Sequence, residues 1–389
     1  MRKVGINMKK INTGVIGTGF IGPAHIEALR RLGYIEVVAI ADINIEVAKE
    51  KAAQLNVDKA FGDYKELLAE KTIEVVHVCT PNHLHYPIAK EALLAGKHVV
   101  CEKPLAINPE QGRDLLELVK KTGLTAAVHF NLRFYPLIQQ AKAMVKAGEI
   151  GDILAVNGSY QQDWLLYQTD YNWRLEPEFS GKSRAVADIG SHWLDMIEYI
   201  SGIKIERVYA DFCTFFTTRK KLIKPVETYT GKILKSSDYK DIKINTEDYA
   251  TVLLRFNNGA HGSMTVNQVA AGRKNRLAFE IYGTKMSIAW NSENPNEMWI
   301  GKRDSKNELL IKDPYLMYKS ARKYASYPGG HTEGFPDTSK QLFNNVYRQI
   351  LAVVESNYDF PTFEDGYREL VLCEAIFDSA RKEKWKEVK

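Results

Sequence analysis

Near the N-terminus, Ile11–Gly22 reads INTGVIGTGFIG, in which a short apolar run leads into three glycines spaced G-x-G-x-x-G. The residues that follow, Ala24–Arg30, have the composition of a helix, so the glycines stand between a predicted strand and a predicted helix. Gly17 permits a tight turn, Gly19 lets the backbone approach a pyrophosphate, and Gly22 lets the helix pack closely on the strand. The helix N-terminus would present N–H groups and its positive dipole end to phosphate. The pattern therefore predicts a dinucleotide-binding turn.

The end of the next predicted strand strengthens this interpretation. Ile35–Ala41 is apolar except for Glu36 and leads directly into Asp42, twenty residues beyond Gly22. A carboxylate at this position can accept hydrogen bonds from the adenosine ribose 2′-OH, and it would repel a 2′-phosphate. We therefore expect NAD as the cofactor, with NADP as the disfavoured alternative. A glycine-rich turn beside an unrelated aspartate would not explain why a strand and a helix flank the glycines.

Length, composition and charge limit the class of protein. The chain has 389 residues, of which 45% are hydrophobic and 26% are charged, values that suit a globular protein of two domains. The net charge of +5 is small and spread along the chain, so we expect no nucleic-acid partner. No apolar run approaches the ~20 residues of a membrane span. Residues 1–10 lack the apolar core of a signal peptide, so we expect no membrane partner.

The cysteines and other metal-ligating residues carry little signal. The four cysteines are widely spaced and form no C-x-x-C pair, which favours reduced thiols and a cytoplasmic location. They are Cys79, Cys101, Cys213 and Cys373. No set of histidines, cysteines and acids has a convincing ligand spacing, so we predict no metal site.

The two parts of the chain differ in pattern. Residues 1–131 alternate predicted strands and helices, which implies a doubly wound parallel sheet of the Rossmann type with helices on both faces. Further on, period-two alternation in Ile153–Gln161, Ile205–Phe216 and Tyr249–Phe256 predicts a large, mostly antiparallel open sheet. We therefore predict an α/β protein with an NAD-binding domain, 1–131, and an α+β domain, 132–389, for substrate binding and oligomerisation. The C-terminal helix is expected to pack back on the first domain.

Parallel sheets of this kind bind ligands beyond the carboxyl ends of their strands, which makes the residues at these ends informative. We expect these strand-end residues, several of which are polar, to gather on one rim and contact the dinucleotide. They are Gly17, Thr18, Gly19, Phe20, Ile21, Gly22, Asp42, Thr80, Pro81, Asn82, His85, Glu102, Lys103, Asn131 and Arg133. An alternative for Thr80–Asn82 is a simple turn and helix cap, a role for which these residue types are also suited.

A second polar segment lies at 187–199. On a regular helix, Asp188, His192, Asp195 and Tyr199 would fall within about 60° of one another, with apolar residues on the other side. A solvated helix face is the alternative interpretation, but the flanking tryptophans at 173 and 193 favour a cleft. By contrast, Arg219–Lys243 carries seven lysines and little periodicity, so we expect an exposed insertion there.

These motifs together resemble those of the glucose-fructose oxidoreductase, inositol dehydrogenase and rhizopine-catabolism (Gfo/Idh/MocA) family. The resemblance covers nearly the whole chain from Ile11. Its carriers are Gly17–Gly22, Thr80–His85, Gly96–Val99 leading into Glu102–Pro104, and the spaced set Asp188, His192 and Asp195. Within the family, Asn172–Arg174 and His331–Asp337 look most similar to sugar and glycoside dehydrogenases.

The resemblance implies oxidation of a secondary alcohol on a sugar or polyol ring, with hydride passing to nicotinamide. The family pattern places Lys103, Asp188 and His192 at the reacting centre. An imidazole such as that of His192 is a natural base for the hydroxyl proton. Asp188 would fix its tautomer, and Lys103 would stabilise developing alkoxide charge. The Lys103–Pro104 peptide is a candidate for the cis form.

Substrate contacts follow from the same resemblance. Asp195 is expected to bind substrate hydroxyls beside His192 and Lys103. Further candidates are Asp163, Trp173, Arg174 and His331. Aromatic faces and polar groups suit a sugar, whose ring has apolar C–H faces and many hydroxyls, although Trp164 and Trp173 could equally be core residues.

Two other functions remain open at this stage. The protein could cleave glycosides by transient oxidation at C3 followed by elimination, with no net formation of NADH. It could also be a non-catalytic NAD and sugar sensor on the same fold, although the intact set of Lys103, Asp188 and His192 weighs against this. Whatever the function, an open, apolar sheet face in the second domain would favour a homodimer or homotetramer.

Overall fold

The computed structural model describes residues 10–223, 238–352 and 359–389, and internal contacts divide the chain into two units. The first unit contains residues up to Tyr135 together with Gly334–Leu370, and the second contains Pro136–Glu333 with Val371–Lys389. The predicted single domain 132–389 is thus divided by these contacts. The reason is that segment 334–370 hydrogen-bonds within the first unit, for instance where Val128 N–H donates to the Pro361 carbonyl. As independently folding domains, 1–131 and 132–389 stay a prediction.

The first unit is built on a six-stranded, all-parallel sheet in the order β3-β2-β1-β4-β5-β6. This strand order is that of the doubly wound Rossmann fold, and the predicted fold class is confirmed. The strands are β1 (Ile11–Ile16), β2 (Ile35–Ala41), β3 (Lys59–Phe61), β4 (Val75–Val78), β5 (His98–Cys101) and β6 (Ala126–Val128). The helices between them are α1 (Ile21–Arg30), α2 (Ile45–Leu55), α3 (Tyr64–Ala69), α4 (His85–Leu94) and α5 (Pro109–Thr122).

Local signals explain why these boundaries were predictable. The Asn44 side chain accepts hydrogen bonds from two backbone N–H groups in the first turn of α2, and Asp63 caps α3 in the same way. Asn108 caps α5, which then begins with Pro109 and ends at Gly123, whose φ is +68°. Side-chain caps, a proline at the first position and a left-handed glycine at the end define a helix almost independently of tertiary context.

The second unit contains a nine-stranded mixed sheet in the order β16-β15-β14-β13-β7-β12-β11-β8-β17 and a separate ribbon of β9 and β10. The sheet is mostly antiparallel as predicted, but β7 and β12 pair in parallel. Its strands are β7 (Ile153–Gln161), β8 (Ile205–Cys213), β11 (Tyr249–Phe256), β12 (His261–Asn267), β13 (Arg276–Gly283), β14 (Ser287–Asn291), β15 (Glu297–Gly301), β16 (Glu308–Ile311) and β17 (Lys386–Glu387), and the ribbon contains β9 (Thr218–Leu222) and β10 (Tyr239–Lys243).

The remaining helices are α6 (Pro136–Lys146), α7 (Pro177–Ser180), α8 (Ser191–Ser201), α9 (Lys319–Arg322), α10 (Phe335–Ile350) and α11 (Phe363–Lys382). Of these, α10 belongs to the first unit, and α11 contributes residues to both. Among the residues described, no helix combines the length and the apolar character that crossing a membrane requires.

Helix α8 packs directly on the nine-stranded sheet. Trp193 is fully buried, and its indole N–H donates to the Ala278 carbonyl of β13 at 3.0 Å. A Cβ at Gly158 of β7 would lie 2.4 Å from the same indole nitrogen, so this close approach requires glycine. Trp193 is therefore a core residue, and the expectation that it flanks a cleft was wrong.

A buried ionic cluster attaches the β9–β10 ribbon to the rest of the second unit. The side chains of Arg184, Arg219 and Asp248 are all 0% exposed. Asp248 Oδ1 accepts hydrogen bonds from Arg184 Nη2 at 2.5 Å and from Arg219 Nη2 at 2.9 Å. Arg219 also donates to the carbonyls of Leu165 and Tyr167. The expected exposed insertion at 219–243 is thus wrong at its start, where a buried arginine anchors β9; residues 224–237 lie outside the described residues.

We predict that Asp248→Asn strongly destabilises the protein. The amide keeps the shape of the carboxylate but leaves two buried guanidinium groups without a counter-charge, a loss of about 3–5 kcal/mol. Urea denaturation should show a lower midpoint with an unchanged slope. The control is Asp241→Asn, whose carboxylate lies 3.2 Å from the exposed ammonium of Lys220 and should contribute less than about 1 kcal/mol. Similar small losses in both variants would contradict the role of Asp248.

Candidate active site

The glycine turn has the geometry that the sequence pattern requires. Gly17 has a φ of +96°, and a Cβ there would lie 2.5 Å from the Cys79 carbonyl oxygen. A Cβ at Gly22 would lie 2.2 Å from the carbonyl oxygen of Gly17, whereas one at Gly19 would meet no atom within 4 Å. Two glycines are therefore required by the protein's own backbone. The open side at Gly19 fits the close approach of a pyrophosphate.

Asp42 is held at the mouth of this turn. Its Oδ2 accepts hydrogen bonds from the backbone N–H of Thr18 at 3.1 Å and from the Thr18 hydroxyl at 2.6 Å. Its Oδ1 accepts from the Asn44 N–H at 3.3 Å. A carboxylate has about four acceptor sites, so this anchored group keeps capacity for ribose hydroxyls. The arrangement fits the adenosine end of NAD.

The residues after β4 divide into two kinds. Within the described residues, the buried Thr80 Oγ1 has no hydrogen-bond partner, which fits a rim that receives a polar ligand. His85 is 1% exposed, and its ring nitrogens each lie 2.7 Å from a carbonyl oxygen, those of Thr80 and Pro104. Burial lowers the pKa of His85. A carbonyl oxygen only accepts, so a neutral His85 ring donates to one of these two oxygens and lies in contact with the other. The ring thus lies between the loops after β4 and β5, and its direct contact with the cofactor stays a prediction.

Asn131 and Arg133 are also occupied within the first unit. Asn131 is 1% exposed and donates to Thr338 Oγ1 at 2.7 Å. Arg133 Nη2 donates to Asp365 Oδ1 at 2.9 Å. Burial alone would raise the pKa of Asp365, but Arg133 holds it below its usual value. These contacts bind segment 334–370 to the loop after β6 and give both side chains a structural role, while their contact with the cofactor stays a prediction.

Glu102 lies at the centre of a buried cluster that the motif analysis did not anticipate. Its Oε1 lies 2.9 Å from His25 Nε2 and 2.6 Å from His129 Nδ1, and its Oε2 accepts from the Lys103 backbone N–H at 3.2 Å. Burial favours the neutral acid, but the two histidines hold the pKa of Glu102 well below its usual value. Glu102 is therefore a carboxylate, and the cis Lys103–Pro104 peptide follows directly, which confirms the predicted isomer.

The cluster continues through a second histidine into the core. His25 Nδ1 lies 2.9 Å from His77 Nδ1, and His77 Nε2 lies 2.9 Å from the Tyr347 hydroxyl. That hydroxyl lies 2.8 Å from Thr13 Oγ1. Burial and the neighbouring His129 lower the pKa of His25 to about 4, and burial lowers that of His77 further below its ordinary value. Both rings are therefore neutral at pH 7. One signal was available in the sequence, since His77 interrupts the apolar strand VVHV.

The same cluster has the composition of a metal site. The ligand atoms of His25, Glu102 and His129 lie within 4.8 Å of one another, although the sequence spacing predicted no such set. The two shortest separations, 2.6 and 2.9 Å, are hydrogen-bond lengths. Ligands on a tetrahedral zinc ion would be roughly 3.3 Å apart. The geometry thus favours direct hydrogen bonds.

The second unit presents the other predicted catalytic residues from an irregular helix. Residues Val186–Gly190 form a π-helical turn that leads into α8, where the sequence had predicted one regular helix. Asp188 and His192 are each 8% exposed and Asp195 is 3% exposed. The polar stripe is thus buried, which excludes the alternative of a solvated face. Buried polar side chains require partners, and π-helical turns often occur at functional sites.

Asp188 is oriented from two sides. Arg174 Nε donates to Oδ1 at 3.3 Å, and Gln268 Nε2 donates to Oδ2 at 3.1 Å. The Gln268 carbonyl in turn accepts from Arg184 Nη1 at 2.8 Å, so the buried cluster around Asp248 fixes which end of the amide faces Asp188. Gln268 was missed because its partners are 80 and 84 residues away in sequence.

An aromatic surface lies beside Asp188. The Arg174 guanidinium carbon lies 4.5 Å from the Trp173 ring centroid and 5.5 Å from that of Trp164, which is 40% exposed. Asp163 Oδ2 accepts from Lys274 Nζ at 2.6 Å and from the Gly272 N–H, so it closes a loop. His331 is exposed, with Nδ1 3.3 Å from the Gly329 carbonyl. Trp173 and Arg174 thus join Asp188, whereas nothing in the described contacts brings Asp163 or His331 to it.

Comparison with known proteins covers both units. The model described as oxidoreductase family, NAD-binding Rossmann fold, matches residues 11–130, and the GFO/IDH/MocA C-terminal domain matches residues 138–289. Levoglucosan dehydrogenase of Pseudarthrobacter phenanthrenivorans is 31% identical, with 98% of this chain and 99% of that protein aligned. Myo-inositol 2-dehydrogenase of Thermotoga maritima is 29% identical over 81% of this chain and 84% of that protein.

Solved structures give the same result. A levoglucosan dehydrogenase in complex with NADH and levoglucosan superposes with a TM-score of 0.87 at 30% identity, covering 98% of this chain and 100% of that chain. An inositol dehydrogenase homologue from Azotobacter vinelandii, complexed with NAD⁺, superposes with a TM-score of 0.86 at 25% identity over 98% of each chain.

We predict that Asp42→Asn reduces the preference for NAD over NADP. The amide keeps the size and an acceptor for Thr18 but removes the charge that repels a 2′-phosphate. The ratio of kcat/KM values for the two cofactors should fall by about tenfold or more, equivalent to about 1.4 kcal/mol. Asp58→Asn, at an exposed position on the same unit, is the matched control and should leave the ratio unchanged. A wild-type preference for NADP would refute the ribose argument.

We also predict that His25 contributes to the pH dependence of stability. Its pKa is about 4 in the folded protein against 6.5 when unfolded, so between these values the unfolded chain binds more protons. The stabilisation is complete above about pH 6.5 and is lost as the pH falls towards 4, by about 3 kcal/mol in total. In urea denaturation at several pH values, the free energy of unfolding of His25→Asn should change less steeply with pH than that of the wild type. The exposed-site control His331→Asn should keep the wild-type slope, and an unchanged slope in His25→Asn would contradict the assignment.

Proposed function

The chain belongs to the Gfo/Idh/MocA family of NAD-binding oxidoreductases, and on this premise we propose that it oxidises a secondary alcohol on a sugar or polyol ring. The family and the NAD-binding Rossmann domain are those expected from the sequence motifs. The substrate class is supported by relatives named for levoglucosan and myo-inositol. The observation that carries the proposal is the burial of Asp188 and His192 on successive helical turns, with Arg174 bonded to Asp188 and placed over two tryptophan rings.

His192 is the proposed general base. Oxidation of R₂CH–OH to R₂C=O releases one hydride and one proton, and bound NAD accepts the hydride. A neutral imidazole can take the hydroxyl proton as the hydride leaves. Asp188, held by Arg174 and Gln268, would stabilise the resulting imidazolium and fix the ring tautomer. Lys103 would donate a hydrogen bond to the same oxygen and stabilise its developing negative charge.

The proposed cofactor contacts are narrower than the sequence suggested. Gly17–Gly22 would receive the pyrophosphate at the N-terminus of α1, and Asp42 the adenosine ribose. Thr80–Asn82, with its buried hydroxyl, and the Glu102–Lys103 segment would line the nicotinamide end. His85, Asn131 and Arg133 would support this rim from behind through their hydrogen bonds to other residues.

The proposed substrate contacts lie in the second unit. The exposed face of Trp164 and the ring of Trp173 can pack against the C–H face of a sugar. Arg174 and Asp195 supply polar groups for hydroxyls. A sugar ring with alternating apolar and hydroxyl surfaces matches such a combination better than a flat aromatic or a long aliphatic alcohol would.

We further infer a homodimer or homotetramer that acts in the cytoplasm. The outward side of the nine-stranded sheet carries Trp299, Leu309 and Ile311, each at least 38% exposed, and exposed apolar side chains on one sheet face favour association. All four cysteines are free thiols, as is usual for cytoplasmic proteins.

We predict that Lys103→Met and His192→Ala each lower kcat by about a hundredfold or more, with the affinity for NAD nearly unchanged. Initial rates of NADH absorbance with levoglucosan, myo-inositol, glucose and a chromogenic glycoside measure kcat, and fluorescence titration measures NAD binding. Lys306→Met and His261→Ala, at exposed positions, are the matched controls.

The same assay separates the alternative functions. Release of the aglycone with only a transient NADH signal would favour glycoside cleavage through C3 oxidation. NAD and sugar binding without turnover would favour a sensor. Near-normal turnover in Lys103→Met or His192→Ala would refute the roles assigned to these residues.

A further inference from the structure

The buried cluster around Glu102 has no part in the proton and hydride transfers described above. His25, His77 and Tyr347 are 0% exposed and His129 is 2% exposed. They come from α1, β4, α10 and the end of β6. A polar network in an apolar sheet is costly unless every member is satisfied, so the arrangement calls for a specific purpose.

The direction of every hydrogen bond in the main branch follows from the charge of Glu102. A carboxylate only accepts, so His25 must donate from Nε2–H, and the neutral ring then accepts at Nδ1. His77 must therefore donate from Nδ1–H and accept at Nε2. Tyr347 consequently donates its single hydroxyl proton to His77, and Thr13 donates to the Tyr347 oxygen. The distances in this branch are 2.9, 2.9, 2.9 and 2.8 Å.

A second branch reaches the same oxygen. His129 must donate from Nδ1–H to Glu102 Oε1 at 2.6 Å. Its Nε2 lies 3.0 Å from the Ser339 hydroxyl oxygen, within hydrogen-bond distance. Cys79 Sγ lies 3.3 Å from His25 Nδ1 and adds a weak donor to the first branch. Both branches thus end in N–H donors that converge on one oxygen of one carboxylate.

The other oxygen of Glu102 faces the chain itself. Oε2 accepts the backbone N–H of Lys103 at 3.2 Å. With Oε1 fixed by two imidazoles, the plane of the carboxylate is fixed, and with it the direction of this backbone hydrogen bond. The network therefore ends at the residue whose ammonium is assigned to the alcohol oxygen.

We propose that His25, His77, His129 and Tyr347 are positioning residues that orient Lys103 through the Glu102 carboxylate. This inference rests on the proposed function, because it assigns the network to the dehydrogenation step. The groups that face Glu102 are His25, His129, Cys79, Cys101 and the Lys103 segment. Fixed donors on an anion keep one geometry, and a shift of 1 Å at a reacting group can cost about a hundredfold in rate.

Two substitutions at His25 test the positioning role. His25→Phe removes both hydrogen-bonding atoms, whereas His25→Gln retains a donor for Glu102 and an acceptor for His77. We expect kcat per folded molecule to fall about tenfold or more in His25→Phe, with KM and Kd for NAD within about threefold of wild type, and to recover within about threefold in His25→Gln. His98→Phe, a ring on neighbouring β5 outside the network, is the control for a loss of stability alone.

The outcomes decide between positioning and packing. A full kcat in folded His25→Phe would overturn the proposal, as would a loss in His98→Phe equal to that in His25→Phe. Should His25→Phe fail to fold, Tyr347→Phe decides. It removes the hydroxyl that donates to His77 and accepts from Thr13. A lowered kcat with an intact fold supports the proposal, whereas an unchanged kcat overturns it.

A readout independent of turnover separates this inference from the proposed function. Imidazole nitrogen NMR of the wild-type protein should show His25 as the Nε2–H tautomer and His77 as the Nδ1–H tautomer at pH 7, with Nδ1 of His129 carrying the proton that faces Glu102. A charged His25, the opposite tautomers, or stoichiometric zinc bound to the purified protein would overturn the network whatever the activity. If these tautomers are found but no sugar or polyol is oxidised, the proposed function fails while the hydrogen-bond assignment stands.

Discussion

In each unit, one buried carboxylate constrains the residues that are assigned to chemistry. Glu102 is surrounded by apolar strands and cannot remain ionised without donors, so α1, β4, β6 and α10 all contribute polar side chains to its neighbourhood. Asp248 is the corresponding buried carboxylate of the second unit, where it balances the charges of two buried arginines. Glu102 directly precedes Lys103 in the chain. Asp248 is connected to Asp188 by hydrogen bonds through Arg184 and Gln268. In both units, the side chains that stabilise a buried charge also orient a residue of the proposed site.

Much of the architecture was predictable because its signals are local. Strand β7 was predicted with its observed limits, Ile153–Gln161, because alternation of apolar and polar residues reports the two faces of a strand directly. The glycine turn was predictable for a similar reason, since its G-x-G-x-x-G spacing is local and the steric requirement at Gly22 arises from the Gly17 carbonyl five residues earlier. The parallel pairing of β7 with β12 leaves no such local trace, and neither does the π-helical turn before α8.

The sequence predicted which residues lie at the ends of the strands, but not which contacts each of their side chains makes. Asp42 and Glu102 follow strands and are recognisable by motif, whereas Asn131 and Arg133 follow a strand in the same way and also bind a distant segment. What distinguishes them is segment 334–370, whose Thr338 and Asp365 bind these side chains from more than 200 residues away. Such partners are chosen by tertiary packing, which a single sequence does not encode in any short spacing. His77 was the exception, because a histidine within VVHV is itself a sign of a buried polar partner.

Arg174 connects Asp188 with an aromatic surface. Its guanidinium donates to Asp188 and at the same time stacks on Trp173 and Trp164. Gln268, by contrast, binds the other oxygen of Asp188 from the buried side and is itself fixed by Arg184. Of these two partners of Asp188, Gln268 is held on the buried side and Arg174 lies on a partly exposed aromatic surface. A change in the surface loop that carries Trp164 would act on Asp188 through Arg174 while the buried side stays constant, so under the proposed function the shape of the sugar could vary while the proposed acid–base residues stay in place.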